Sequence, residues 1–170
     1  MRILVHVHLY YVDMWPELKS AISHITAPYD LFVTVTEHNV DLEKDVLAFN
    51  SEARIIKVEN KGFDVWPFIS VLNSVNLNDY SHIIKLHTKR DMPAGTIRNG
   101  FDVSGGKWRR YLFAFLKSKR TFEKCLKAFD ANITLGMITD YRLIVTNDRK
   151  NQDALYCPPI VKRKKREDLN

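Results

Sequence analysis

Apolar residues fall along this chain in two alternating rhythms. Arg2 to Leu9, Asp30 to Thr36, Arg54 to Val58 and Ser81 to Leu86 are short runs rich in β-branched and other apolar residues, the pattern of buried strands. Between them, apolar positions recur at helical spacing. Trp15, Leu18, Ile22 and Ile25 predict a helix capped by Asp13, with Pro16 in its first turn, where a missing N–H costs nothing. Val46, Leu47 and Phe49 predict a second helix capped by Asp41, and Phe68, Val71, Leu72 and Val75 a third that opens at Pro67. The order β-α-β-α-β-α-β predicts an α/β fold, a single mostly parallel sheet with helices on both faces. Such sheets hold ligands beyond the C-terminal ends of their strands, here the segments after Leu9, Thr36, Val58 and Leu86.

The rhythm breaks after the fourth strand. Residues 88–106 read as a long polar loop containing Pro93, Gly95, Gly100, Gly105 and Gly106, and loops of that length are usually functional or mobile. Helices are predicted from Lys107 to Leu116 and from Thr121 to Phe129, then a fifth strand from Ile133 to Ile138, where Gly136 hints at a close backbone approach. Beyond Tyr141 only Leu143-Ile144-Val145 is strand-like, and the stretch with Pro158, Pro159 and the tail is expected to be loosely ordered. The expected organisation is an α/β domain over residues 1–140 and a short extension over 141–170.

Composition narrows the class. A chain of 170 residues with 45% hydrophobic and 27% charged residues can bury a sizeable core, which excludes disordered, collagen-like and disulfide-scaffold proteins. No apolar run approaches the roughly 20 residues of a membrane span. Met1-Arg2-Ile3-Leu4-Val5 is too short and too polar a start for a secretory signal. Cys125 and Cys157 match no metal spacing and no disulfide framework, so a reduced, cytoplasmic setting is expected.

The net charge of +6 is unevenly spread, with −5 over residues 1–84, +8 over 85–120 and +3 over 121–170. The positive field sits in the middle segment and in Lys162-Arg163-Lys164-Lys165-Arg166, where it would attract phosphates of a nucleotide, a nucleic acid or a lipid headgroup.

Two segments at predicted strand ends could carry chemistry. In Asn60-Lys61-Gly62-Phe63-Asp64, Gly62 permits a left-handed turn, and Asp64 sets a carboxylate beside the free N–H groups of a helix start, where base or ribose groups could bind. The same residues also suit an ordinary strand-to-helix turn. In Lys85-Leu86-His87-Thr88-Lys89-Arg90-Asp91, alternation puts Lys85, His87 and Lys89 on one side, an arrangement suited to a diphosphate. The plain structural alternative is an edge strand guarded by lysines, against which His82, Ile83, Ile84 and Leu86 read as central. His6 and His8 share a strand face at a metal-compatible spacing, but with no third ligand they read as structural. His24 and His38 give no signal, and Trp15, Trp66 and Phe68 read as core. Trp108-Arg109-Arg110-Tyr111 mixes aromatic and basic groups as nucleic-acid binders do, or as one amphipathic helix does. There is no P-loop, no GxGxxG, no GxSxG and no Cys/His nucleophile pattern.

Together these segments resemble the rhamnan synthesis protein F family of bacterial cell-wall and O-antigen polysaccharide loci. The resemblance rests on His6-Val7-His8-Leu9-Tyr10-Tyr11 with Trp15-Pro16-Glu17, on Tyr29-Asp30-Leu31-Phe32-Val33-Thr34, and on Trp108-Arg109 and Leu135-Gly136-Met137-Ile138. Its specific part is Asn60-Lys61-Gly62-Phe63-Asp64-Val65 with Pro67-Phe68, paired with Ile84-Lys85-Leu86-His87-Thr88-Lys89.

The resemblance implies a glycosyltransferase-A-like fold and transfer of a sugar, such as L-rhamnose from dTDP-L-rhamnose, to a lipid-linked glycan acceptor. Asn60, Gly62 and Asp64 would hold the nucleoside, and Lys85, His87, Lys89 and Arg90 would face the diphosphate. Inverting transfer needs a carboxylate base, for which Asp91 and Asp102 in the long loop are the candidates. Enzymes of that fold usually carry an Asp-x-Asp metal site after the fourth strand. Here that place reads His87-Thr88-Lys89, so no metal ligand and no cofactor is assigned, and protein cations would neutralise the leaving diphosphate. Little chain follows the fifth strand, where such enzymes build the acceptor site, so a short relative, a fragment or a donor-binding half is expected. The basic segments would bring the domain to anionic lipids at the inner face of the cell membrane. The alternatives are a non-catalytic nucleotide-sugar binder and a nucleic-acid or anionic-surface binding module, the nucleic-acid partner being disfavoured because it leaves Asn60 to Phe68 unexplained.

Overall fold

Four parallel strands, β1 (Ile3–Leu9), β2 (Tyr29–Val35), β3 (Arg54–Lys57) and β4 (His82–His87), form a sheet in the order β3-β2-β1-β4. The structure is a computed structural model and describes residues 2–144. The chain divides into two compact units, with the boundary between Lys89 and Arg90.

In the first unit the chain steps outward from β1 to β2 to β3 through α1 (Trp15–Ile22) and α2 (Val40–Phe49), then returns past β1 to β4 through α3 (Val65–Leu72). Right-handed crossovers therefore put α1 and α2 on one face of the sheet and α3 on the other. Strand alternation supplies both cores. Ile3, Val5, Val7 and Leu9 turn to one face and are fully buried, as are Leu31, Val33 and Val35. Trp15, Leu18 and Ile22 of α1, and Leu42 and Val46 of α2, are buried with them. Trp15 meets Phe49 edge to face at 5.7 Å, and Lys19 donates to Asp45 at 2.7 Å, which ties α1 to α2. On the opposite face Leu4, Phe32 and Val71 form the core, with Ile56, Leu72, Val75 and Tyr80 packed against it. Each such side chain contributes roughly 1.5–3 kcal/mol by leaving water.

Three local expectations change. Asn39, not Asp41, caps α2, because its side-chain oxygen accepts from the Leu42 N–H at 2.9 Å. Asp13 lies inside a 3-10 turn (Val12–Met14), and α1 starts behind Met14 with no side-chain cap bond. Among the described residues β4 is an edge strand, so its apolar run does not mark a central position. Ile84 and Leu86 are buried on the α1/α2 face, while Ile83 on the other side is 43% exposed.

In the second unit the expected polar loop contains a hairpin, β5 (Ile97–Arg98) paired antiparallel with β6 (Phe101–Asp102). Asn99 and Gly100 connect the strands at φ 52° and 74°, the left-handed pair that a two-residue hairpin turn requires. Then follow α4 (Lys107–Leu112), a 3-10 turn (Ala114–Leu116) and α5 (Lys119–Ala131), whose cap Ser118 accepts from the Thr121 N–H at 3.1 Å. The expected strand from Ile133 to Ile138 is not formed. Asn132 instead turns the chain by accepting from Leu135 and Thr134, and Ile133 and Met137 are 99% and 74% exposed. Of the strand-like Leu143-Ile144-Val145, Leu143 instead ends a 3-10 turn (Tyr141–Leu143), which Asp140 caps by accepting from the Arg142 N–H at 3.0 Å. Val145, Cys157 and the basic tail lie outside the described residues. No described helix is long and apolar enough to cross a membrane.

Candidate functional site

The face of the sheet under α3 carries an unusual load of polar residues. Alternation sends His6 and His8 of β1, Thr34 of β2, and Lys85 and His87 of β4 to this side. The parallel register sets His6 beside Lys85, and His8 between Thr34 and His87. His6, His8 and Thr34 are buried, and the Thr34 hydroxyl lies 2.9 Å from His6 Nε2 and 3.0 Å from His8 Nδ1. His6 Nδ1 is buried without a hydrogen-bond partner. A proton there would be an orphaned donor, so the geometry favours His6 donating through Nε2 to Thr34. Burial, with help from neighbouring His8 and Lys85, pushes the His6 imidazole down to about 3. Both histidines are thus tied to β2 through the Thr34 hydroxyl.

The chain after β3 brings a carboxylate over this surface. Val58 N–H still bonds Val35 at 2.8 Å, and Gly62 and Phe63 then adopt left-handed φ of 63° and 54°. Val65 N–H closes the turn onto the Gly62 carbonyl at 3.1 Å, and α3 begins with Asp64 as its N-terminal flanking residue. A Cβ on Gly62 would stand 2.7 Å from Trp66 Cβ, so the turn needs glycine for space as well as for φ.

Asp64 makes no capping bond; its Oδ2 accepts from the Lys85 ammonium, and His87 Nδ1 lies 3.7 Å from the same oxygen. Burial alone would raise the Asp64 carboxyl, but the Lys85 hydrogen bond and the charges of His87 and Lys85 outweigh it and hold it below the ordinary carboxylate range. His87 and His8 are lowered, chiefly by burial, with Lys85 adding to it and Asp64 opposing it. Phe68 closes the site from α3, its ring 5.6 Å from the His6 ring and 5.8 Å from Lys85 Nζ.

The structure thus brings together Asp64, Lys85 and His87 at the strand C-terminal end, with Gly62 shaping the turn and Asn60 exposed in the same loop. Lys89 lies beyond the end of β4, and Arg90, Asp91 and Asp102 belong to the second unit. There Asp91 pairs with Arg109. Asp102 pairs with Lys107, which with the Ser104 hydrogen bonds, one from its N–H at 2.8 Å, holds the carboxylate well below its usual range. Trp66 corrects a core expectation: it is 42% exposed, with Lys61 Nζ 4.6 Å above its ring, whereas Trp15 is core. Two buried threonines were missed, Thr34 and Thr88. Thr88 ties β4 to β1 by donating its N–H to His8 O and accepting from Tyr11 N–H, both at 3.1 Å. Their signal is a polar residue at the end of an apolar run. Among the described residues no three His, Cys, Asp or Glu side chains converge as a metal site requires. A polar cleft at the strands' N-terminal ends, between Arg2, Asp30, Glu52, Arg54 and Tyr80, has Asp30 already bonded by Arg2 and Tyr80.

The family described as Rhamnan synthesis protein F matches residues 1–152, which takes in the whole cluster. The chain belongs to the rhamnan synthesis protein F family. Membership ties it to polysaccharide synthesis. This member of the rhamnan synthesis protein F family is also similar to two proteins named "Uncharacterized protein WxcX", from Xanthomonas campestris pv. campestris strains B100 and ATCC 33913. Each is 27% identical over 155 residues, covering 89% of this chain and 21% of the relative. The chain therefore spans about a fifth of the length of the curated relatives it matches. No solved structure matches it.

Proposed function

We propose that the chain binds a nucleotide sugar, dTDP-L-rhamnose in the first instance, and takes part in transferring the sugar to a lipid-linked glycan. The observation that carries this reading is the Asp64–Lys85–His87 constellation at the ligand edge of an α/β sheet, in a member of the rhamnan synthesis family. Asn60, the Gly62 backbone and Asp64 would receive the nucleoside, and Lys85, His87, Lys89 and Arg90 the diphosphate. Residues 1–140 would form the nucleotide-sugar-binding part and 141–170 an extension from it. Asp91 and Asp102 are the loop carboxylates proposed for proton transfer. The basic segments would hold the protein at anionic lipids on the cytoplasmic side, where a lipid-linked acceptor lies.

A second reading, binding without transfer, is favoured by one observation. Asp102 is engaged by Lys107 and Ser104 and held in its ionised form, which makes it a weak proton acceptor.

A thermal-shift series with dTDP-L-rhamnose, dTDP, UDP-glucose and GDP-mannose tests the binding. A ligand at 100 times its dissociation constant stabilises the folded state by about 2.7 kcal/mol. The reading predicts a rise in melting temperature with the dTDP pair and a smaller one with the others; no rise with any of them refutes it.

A further inference from the structure

Inverting transfer calls for a group that is unprotonated near neutral pH, reachable from solvent, and able to accept the acceptor's proton. In the first unit the choices are few. Asp64 is ionised and bonded by Lys85, which lowers its basicity. His6 is fully buried and His8 is 4% exposed, and both rings are turned to Thr34. The His87 side chain is 24% exposed, and its Nδ1 faces Asp64 Oδ2 at 3.7 Å. A carboxylate on that side favours the proton on Nδ1 and leaves Nε2 with a lone pair. The separation exceeds a hydrogen bond, and such contacts commonly tighten only when substrate is bound.

We infer that His87 is the general base of the proposed transfer, in place of a diphosphate contact and of the loop carboxylates Asp91 and Asp102, with Asp64 as the residue that positions its ring and Lys85 as the residue that fixes Asp64. The inference rests on the transfer reading above. The groups facing His87 are Asp64 from the start of α3, His8 from β1, and Lys85 and Lys89 from its own segment. Burial and the two lysines keep the ring neutral before reaction, and Asp64 stabilises the imidazolium once it forms. In the step itself, the acceptor hydroxyl oxygen bonds to the donor's anomeric carbon as the carbon–oxygen bond to the diphosphate breaks. The leaving diphosphate keeps that electron pair, the hydroxyl proton passes to His87 Nε2, and the partly exposed imidazolium returns it to water.

Long-range proton–nitrogen NMR on the full chain with labelled histidine reads the tautomer directly. At pH 8 His87, assigned by its absence in His87→Gln, is expected in the Nδ1–H form, and Asp64→Asn is expected to abolish that preference. Slow hydrolysis of dTDP-L-rhamnose, with water as acceptor, is the activity probe. His87→Gln is expected to lower it about 10²–10⁴-fold and to remove the acidic limb of its pH profile. An Nε2–H tautomer in the wild type, or one indifferent to Asp64→Asn, overturns the inference. So does a His87→Gln rate within about threefold of wild type while the donor still raises the melting temperature; either result leaves the transfer reading intact. A donor that raises no melting temperature refutes the transfer reading and the base with it.

Discussion

The Lys85 ammonium in β4 donates to the Asp64 carboxylate at the start of α3, so the residue that opens the crossover helix is tied to the strand that follows it. Both side chains are 29% exposed. Lys85 is therefore a matched charge, and a diphosphate approaching it must compete with Asp64.

Asp64→Ala is expected to leave Lys85 half-buried without its carboxylate and to destabilise the first unit by about 1 kcal/mol. Lys85→Met should remove most of that penalty, because the pair then disappears together. A double-mutant cycle by urea denaturation checks this; additive effects of the two substitutions would mean that the pair contributes nothing.

Stability is expected to fall steeply with acid. The lowered imidazoles of His6, His8 and His87 bind fewer protons folded than unfolded, so their contribution is complete above the unfolded value near 6.5. It is lost as pH falls from there toward the folded value, about 3 for His6. For His6 the full swing is on the order of 4–5 kcal/mol. His6→Gln keeps a hydrogen-bonding partner for Thr34 but cannot titrate. It should flatten the dependence of the urea midpoint on pH between 6.5 and 4, and an unchanged slope would assign the acid sensitivity elsewhere.

Gly62→Ala meets both a left-handed φ and a Trp66 Cβ at 2.7 Å, and is expected to cost more than the roughly 1–2 kcal/mol of the φ alone. Gly95→Ala has φ 74° with nothing within 4 Å, so it should cost only that strain. Unfolding curves give the comparison, and Trp66 emission should shift in the first variant. Equal costs would argue that the Gly62 turn relaxes freely.

Along α5 the residues Arg120, Lys124 and Lys127 repeat at helical spacing and are exposed, while Phe122 on the opposite side is buried. If the basic segments bind anionic lipid, Arg120→Glu with Lys124→Glu, or deletion of residues 161–170, should each weaken binding to phosphatidylglycerol vesicles, by roughly 1 kcal/mol per basic residue removed from the surface. Cosedimentation with such vesicles decides it. Equal binding by all three proteins would remove the membrane assignment.

Much of the first unit is legible in the linear pattern. The four strands and three helices follow from where apolar residues repeat every second or every third and fourth position, because each rhythm buries only one face of one kind of element. The shared face of Lys85 and His87, and the left-handed turn at Gly62, are local properties and were readable for the same reason. The hairpin at Asn99-Gly100 was also encoded locally, in a turn signal that the surrounding polar loop obscured. What tertiary structure alone decided is partnership. An apolar run does not state how many neighbours its strand has, so β4 read as central lies at an edge, and Ile133 to Ile138, with no strand to pair its backbone, is not one. Alternation could place Lys85 beside the ligand edge but not show that a carboxylate 21 residues earlier would match its charge, nor that His87 would face the same oxygen. Those relationships arise only when α3 crosses the sheet and lowers Asp64 onto β4, because electrostatic matching depends on distance in space and leaves no period in the chain.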